Sequence, residues 1–171
     1  PNFSATMVTS GPGATNLLTG IACSWFDSIP SIHICGQVNS YELSKAHKST
    51  KNVRQVGFQE TDIVTMAKPI TKLSYQLKNA QEIKYVLEKA YHVAQSERPG
   101  PVLIDIPMNF QRTIINPNKL KSFRPVKKKN SEKIIINQII KIKDFLNKKK
   151  KPNIIVGGGI RYSKTTKNLL S

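Results

Sequence analysis

The sequence predicts an α/β fold built on a parallel sheet, and three observations carry that expectation. Apolar runs alternate with stretches of helical period through residues 4–106, the pattern of repeated βα units. The first run drops into Gly11-Pro12-Gly13 and then a helical stretch, a strand-to-helix turn that glycine makes possible. Residues 102–106 are apolar except for Asp105, as expected of a strand covered on both faces. A chain of 171 residues with 39% apolar content suits one full domain plus part of another.

Taken in order, residues 4–9 read as a buried strand. The helix after the glycine turn spans about residues 14–26. Its Leu17, Leu18, Ile21, Ala22 and Trp25 fall on one face. Residues 31–35 form the next strand. Residues 39–57 are polar and without period, a long surface loop of a length often tied to function. Residues 58–67 are predicted as a short helix, halted before Pro69, and residues 71–77 as a strand. The clearest helix covers residues 80–95. Asn79 and Glu82 have the spacing of a capping box, and Ile83, Val86, Leu87, Ala90, Tyr91 and Ala94 make its stripe. Proline and glycine at 99–101 end it, and the strand at 102–106 follows. Residues 112–130 read as a polar, basic linker. Residues 131–171 open a second α/β unit: a helix to about 146, a strand at 153–156 and a glycine turn at 157–159.

The net charge of +17 is unevenly placed. Residues 1–111 carry ten Lys or Arg against eight Asp or Glu, and residues 112–171 carry seventeen against two. Such a tail neutralises phosphates where it binds nucleic acid. No aromatic residues alternate with these lysines to stack bases, so a solvated surface is the expected reading and nucleic acid is not an expected partner. No run nears the roughly 18 apolar residues of a membrane span. Two cysteines, Cys23 and Cys35, make no disulfide framework; buried free thiols and a cytoplasmic setting are expected. His33, His47 and His92 lack ligand spacing, and no metal site is predicted.

The strand–Gly-Pro-Gly–helix segment is the sharpest chemical signal. Unpaired N–H groups at a helix start accept an anion or a polar heteroatom. No Gly-Lys-Ser or Gly-Lys-Thr follows, so it is not a P-loop, and the glycine spacing is not that of a dinucleotide fold. On spacing alone, a ligand-binding turn and a purely structural one stay equally open.

The residues themselves narrow this. TSGPGATNLLTGIACSWFDSIPSIHICGQV (residues 9–38), FQETDIV (58–64), PITK (69–72), RPGPVLIDIP (98–107) and KPNIIVGGGI (151–160) stand in that order. Together they resemble the acetolactate-synthase type of thiamine-diphosphate-dependent enzymes. The resemblance implies a three-layer parallel-sheet pyrimidine-binding domain at 1–111, incomplete at its N-terminus. It implies the truncated start of a central domain at 131–171. It further implies a homodimer or tetramer whose active site lies between the pyrimidine domain of one subunit and the diphosphate domain of another. The implied cofactor is thiamine diphosphate with magnesium, and the implied substrate a 2-keto acid such as pyruvate. In that family a glutamate activates the cofactor ring; it belongs upstream of Ser4, so no catalytic residue is expected here. The chain alone is expected to be inactive, because the family's diphosphate domain belongs far downstream.

Carried over by position, Gly11, Pro12, Gly13 and Asn16 match the turn beside the cofactor's pyrimidine. Gln37 matches a residue facing the active site, and Phe58 and Gln59 match a segment lining the substrate side. Glu60 and Glu82 do not replace the upstream glutamate. Two departures matter. Lys68 stands where the family carries an arginine near the flavin; it keeps the charge without the planar fork, so FAD binding stays open. Residues 39–57 are longer than the family's usual approach to FQE, so the keto acid stays open too. The alternatives are a related decarboxylase or oxidase acting on another 2-keto acid, or a non-catalytic binding or oligomerisation module.

Overall fold

The computed structural model describes residues 3–46, 49, 53–125 and 132–170. It divides into two compact units, Pro1–Pro125 and Val126–Ser171. The first unit runs β1 (Ser4–Val8), α1 (Pro12–Phe26), β2 (Ser31–Gln37), α2 (Ile63–Ala67), β3 (Leu73–Gln76), α3 (Ile83–Gln95), β4 (Pro101–Pro107) and α4 (Met108–Gln111). Its four strands are all parallel, in the order β1-β2-β4-β3.

The period of two along each strand sorts the side chains into two layers. Leu103 of β4 and Cys35 of β2 join Ala14 and Ile21 of α1 and Ile63 and Ala67 of α2. On the opposite face, Ile32, Val102 and Ile104 meet Val86, Ala90 and Ala94 of α3. Those α3 positions are four apart and so share one side of the helix. This is the three-layer α/β arrangement. Central β4 is buried on both faces, and Val102, Leu103 and Ile104 are each 0% exposed. Each such side chain contributes about 1.5–3 kcal/mol, which makes β4 the strand least tolerant of substitution.

The capping box at the start of the α3 segment forms: Asn79 Oδ1 accepts from the Gln81 N–H at 2.9 Å, and Glu82 returns a carboxylate to the Asn79 backbone. One turn of 3₁₀ helix, Ala80–Glu82, precedes the α-helix proper. Residues 112–125 run back along the first unit. Leu120 is buried, the Phe123 ring meets Tyr85 edge-on at 5.6 Å, and the Phe123 N–H donates to Glu88 Oε2 at 2.7 Å. Residues 126–131 lie outside the described residues, as does His47.

Four expectations need correction. The strand expected to be buried at 4–9 is β1, which is exposed over residues 4–7 because it stands at the edge of the sheet. Only residues 63–67 of the expected 58–67 helix are helical. Asp62 caps that helix, taking the Thr65 N–H at 3.2 Å, and Gln59 sits at φ 60°, outside the right-handed helical region. Residues 153–156 form no strand; a strand needs a neighbour to pair with, and no ladder in the described residues reaches them. Cys23 is exposed while Cys35 is buried, because Cys23 lies off the α1 face that carries Ala14 and Ile21. His33 is a satisfied core histidine, bonded to Thr6 Oγ1 at 2.8 Å and Ser31 Oγ at 2.9 Å. Burial lowers its pKa.

The second unit holds α5 (Glu132–Asn147), α6 (Gly159–Tyr162) and α7 (Thr166–Leu170). Ile135, Ile136, Ile139, Ile140, Ile142 and Phe145 of α5 are all exposed. Among the described residues no helix is long and apolar enough to cross a membrane.

Candidate functional site

In a parallel sheet the carboxyl ends of the strands and the amino ends of the following helices converge, and ligands bind there. The Gly11 turn lies at that edge, between β1 and α1. Gly11 has φ 61° and ψ −124°, a conformation that glycine alone reaches without strain. Pro12 fills the first helical position, where a missing N–H costs nothing. No side chain caps the helix, and its first turn carries no acid. The amino end of α1 therefore presents donors and positive dipole to the carboxyl edge of the sheet.

A second segment closes on this turn. A Cβ placed on Gly11 would lie 2.6 Å from Gln59 Cβ and 3.0 Å from the Gln59 carbonyl oxygen. Gly11 and Gln59 are thus packed so closely that no side chain fits on Gly11. Gly13 is crowded instead by the residue that follows β1, since a Cβ there would meet Thr9 Cγ2 at 2.7 Å. Asn16 is exposed on α1. Phe58, beside Gln59, is 83% exposed, so a large ring stands in solvent at the rim.

The loop before Gln59 is organised by Glu60. Its carboxylate accepts the Ser44 N–H and hydroxyl, each at 2.7 Å, and the Val56 N–H at 3.0 Å. Burial alone would raise its pKa, but these donors outweigh it and hold the pKa below the usual value. Glu60 is therefore a loop anchor.

Gln37 is 3% exposed and lies behind the rim. Its Nε2 donates to the Thr61 carbonyl at 2.8 Å and to Asp105 Oδ2 at 3.2 Å, and its Oε1 accepts the Val38 N–H at 3.0 Å. Both amide hydrogens are committed within the protein. Lys68 is not part of this group. It is exposed at the far end of α2, where the chain turns toward the amino end of β3.

Two features escaped the sequence reading. Asp105 is fully buried on β4, and Gln37 and Gln76 both donate to its Oδ2. Burial pushes its pKa up to about 6 against the pull of those donors. It also adds to the burial that carries the neighbouring Cys35 thiol to about 12. The signal was present, an acid interrupting an apolar strand, but nothing in the pattern said what the acid would meet. The second is a cleft of about 500 Å³ at the carboxyl edge, bordered by Ser10, Gly36, Met108 and Gln111. Gln111 Nε2 donates to the Ile106 carbonyl at 2.7 Å and passes above Gly36, 3.6 Å from where a Cβ would stand. Such a cleft, mostly apolar with a few polar groups, has the general character of a small-molecule site. Among the described residues no group of three or more His, Cys, Asp or Glu gathers as a metal site.

Comparison with known proteins shows what the chain is similar to. Residues 2–66, which hold the glycine turn and the Gln59 segment, match the family described as thiamine pyrophosphate enzyme, N-terminal TPP binding domain. Residues 2–66 thus carry a likeness to the N-terminal domain of thiamine pyrophosphate enzymes, and most of the chain is similar to acetolactate synthase large subunits. It is 38% identical over 157 residues to the acetolactate synthase large subunit of Lactococcus lactis, covering 92% of this chain and 26% of that protein. It is 38% identical over 164 residues to the acetolactate synthase isozyme 3 large subunit of Escherichia coli, covering 90% and 25%. A chloroplastic acetolactate synthase of Nicotiana tabacum is 35% identical over 162 residues, covering 92% and 22%. The chain spans about a quarter of the length of the relatives it matches.

Proposed function

We propose that this chain supplies the pyrimidine-side wall of a thiamine diphosphate site in an acetolactate-synthase-type carboligase, joining or decarboxylating 2-keto acids such as pyruvate. The observation that carries this reading is the Gly11 turn closed by Gln59 at the carboxyl edge of the parallel sheet, beside an apolar cleft. When bound, thiamine diphosphate supplies the electron sink for decarboxylation. The chain's own residues bind and orient. Gly11 and Gly13 let the turn close tightly on Gln59 and Thr9, and Pro12 and Asn16 flank the side offered to the ring. Gln37 holds the Gln59 segment in place from behind. Phe58 and Gln59 border the substrate side.

The diphosphate and its magnesium are assigned to another domain of the same enzyme, facing this one in a homodimer or tetramer. Lys68, exposed and apart from the glycine turn, gives no planar fork for a flavin, so FAD is the least supported of the implied cofactors. The free thiols suit a reducing compartment such as the cytoplasm. The test is an assay of the whole protein that contains this chain. Carbon dioxide and acetolactate formed from pyruvate, dependent on thiamine diphosphate and magnesium, support the reading. Cofactor-saturated protein that turns over no 2-keto acid refutes it.

A further inference from the structure

The buried carboxylate of Asp105 has no role in the site as built so far, yet its contacts lead there. Gln76, its register partner on β3, donates to Oδ2 at 2.6 Å. Gln37 of β2 donates to the same oxygen. The other hydrogen of that Gln37 amide goes to the Thr61 carbonyl, and the Thr61 hydroxyl reaches the Gln59 carbonyl at 3.4 Å. That same Gln59 carbonyl lies 3.0 Å from where a Gly11 Cβ would stand. A line of polar contacts therefore runs from the centre of the sheet to the Gln59 carbonyl, and Gln59 in turn packs against the glycine turn. At its origin Asp105 Oδ1 is buried without a hydrogen-bond partner. A buried orphan oxygen is costly, and it is the atom free to take a proton.

We propose that Asp105 is a positioning residue for the candidate site, setting through Gln37 where the Phe58–Thr61 segment stands against Gly11. As a carboxylate it makes the Gln37 bond charge-assisted and fixes the amide plane. A proton on Oδ1 leaves Oδ2 a neutral, weaker acceptor, and the hold of Gln37 on Thr61 slackens. The charged or titratable groups facing it are Cys35 on β2, Lys45 from the 44–46 turn and Asp62 at the start of α2. Lys45 favours the charged form and Asp62 opposes it. The inference rests on reading the Gly11–Gln59 corner as the cofactor wall, but the coupling is measurable without cofactor. Failure of the coupling leaves that reading standing, and failure of cofactor to bind leaves the coupling standing.

The experiment is a pH titration of the isotopically labelled 171-residue chain by NMR, from about pH 4.5 to 8, a range that brackets buried carboxylates. The side-chain amides of Gln37 and Gln76 and the backbone amides of residues 59–62 should move together with a midpoint near 6, while the α3 amides stay still. Asp105→Asn keeps an acceptor oxygen and should abolish that transition in a folded chain. Gln37→Leu should leave Gln76 titrating while the 59–62 amides lose the transition. A purely structural Asp105 would lower stability in both variants without moving the pH profile of residues 59–62. The proposal is overturned if those amides do not titrate, if they titrate unchanged in Asp105→Asn, or if they stay coupled in Gln37→Leu.

Discussion

Replacing Gly11 with alanine tests the corner of the site with the least tolerance. Two costs are set by the structure. The backbone at φ 61° and ψ −124° is sparsely populated for any residue with a Cβ, at about 1–3 kcal/mol. The new methyl would also lie 2.6 Å from Gln59 Cβ, and forcing such a contact costs about 1–3 kcal/mol. Together Gly11→Ala should destabilise the chain by about 2–6 kcal/mol, a large share of the 5–15 kcal/mol typical of a domain. Urea unfolding followed by circular dichroism reads the loss. Gln59→Gly, combined with Gly11→Ala in a double-mutant cycle, separates the two costs. It should recover the steric part and leave the backbone part. A Gly11→Ala loss below about 0.5 kcal/mol, the size of an ordinary surface change, would refute the reasoning. A cycle showing no coupling would refute the contact with Gln59.

Other glycines and acids give predictions of different sign. Gly20 is exposed within α1 and a Cβ there meets nothing within 4 Å, so Gly20→Ala should stabilise by about 0.5–1 kcal/mol in the same urea assay. His33 is held neutral by burial, with its pKa below 6.5. Its contribution is complete above pH 6.5 and is lost as pH falls through the lowered value. His33→Gln should flatten that part of the stability profile, measured by thermal unfolding across acidic pH. Asp105 works in the opposite sense. Its pKa rises from 3.8 to about 6, so its contribution is complete below 3.8 and is lost as pH climbs through about 6. The span corresponds to about 3 kcal/mol, and Asp105→Asn should remove that pH dependence.

The sheet was legible because its signals are local. Short apolar runs and a capping box at Asn79–Glu82 are written in consecutive residues, and the structure keeps those of the first unit. The segment at 58–67 misled because the Phe58–Ala67 pattern looks helical while tertiary contacts decide otherwise. Gln59 is held in the left-handed region against Gly11, and Asp62 starts the helix late. The glycine turn was visible as a turn, but spacing alone could not separate a ligand cradle from a structural corner. The neighbouring motifs did that. The Asp105–Gln37–Thr61 line joins residues 24 and 68 positions apart, and only the strand order that sets β2 beside β4 brings them together. Ser10, Met108 and Gln111 share a cleft for the same reason.

The role proposed for the Gly11–Gln59 corner, receiving the cofactor's ring, is open to direct measurement. Thiamine itself, added at about millimolar concentration to the labelled 171-residue chain, tests this by amide chemical shift, since weak fast-exchanging binding at that level is readable. Shifts concentrated at residues 10–16, 36–37 and 58–61 are the predicted result. Shifts centred on α3 or on Lys121 and Arg124, or no shifts at saturating thiamine, would contradict it.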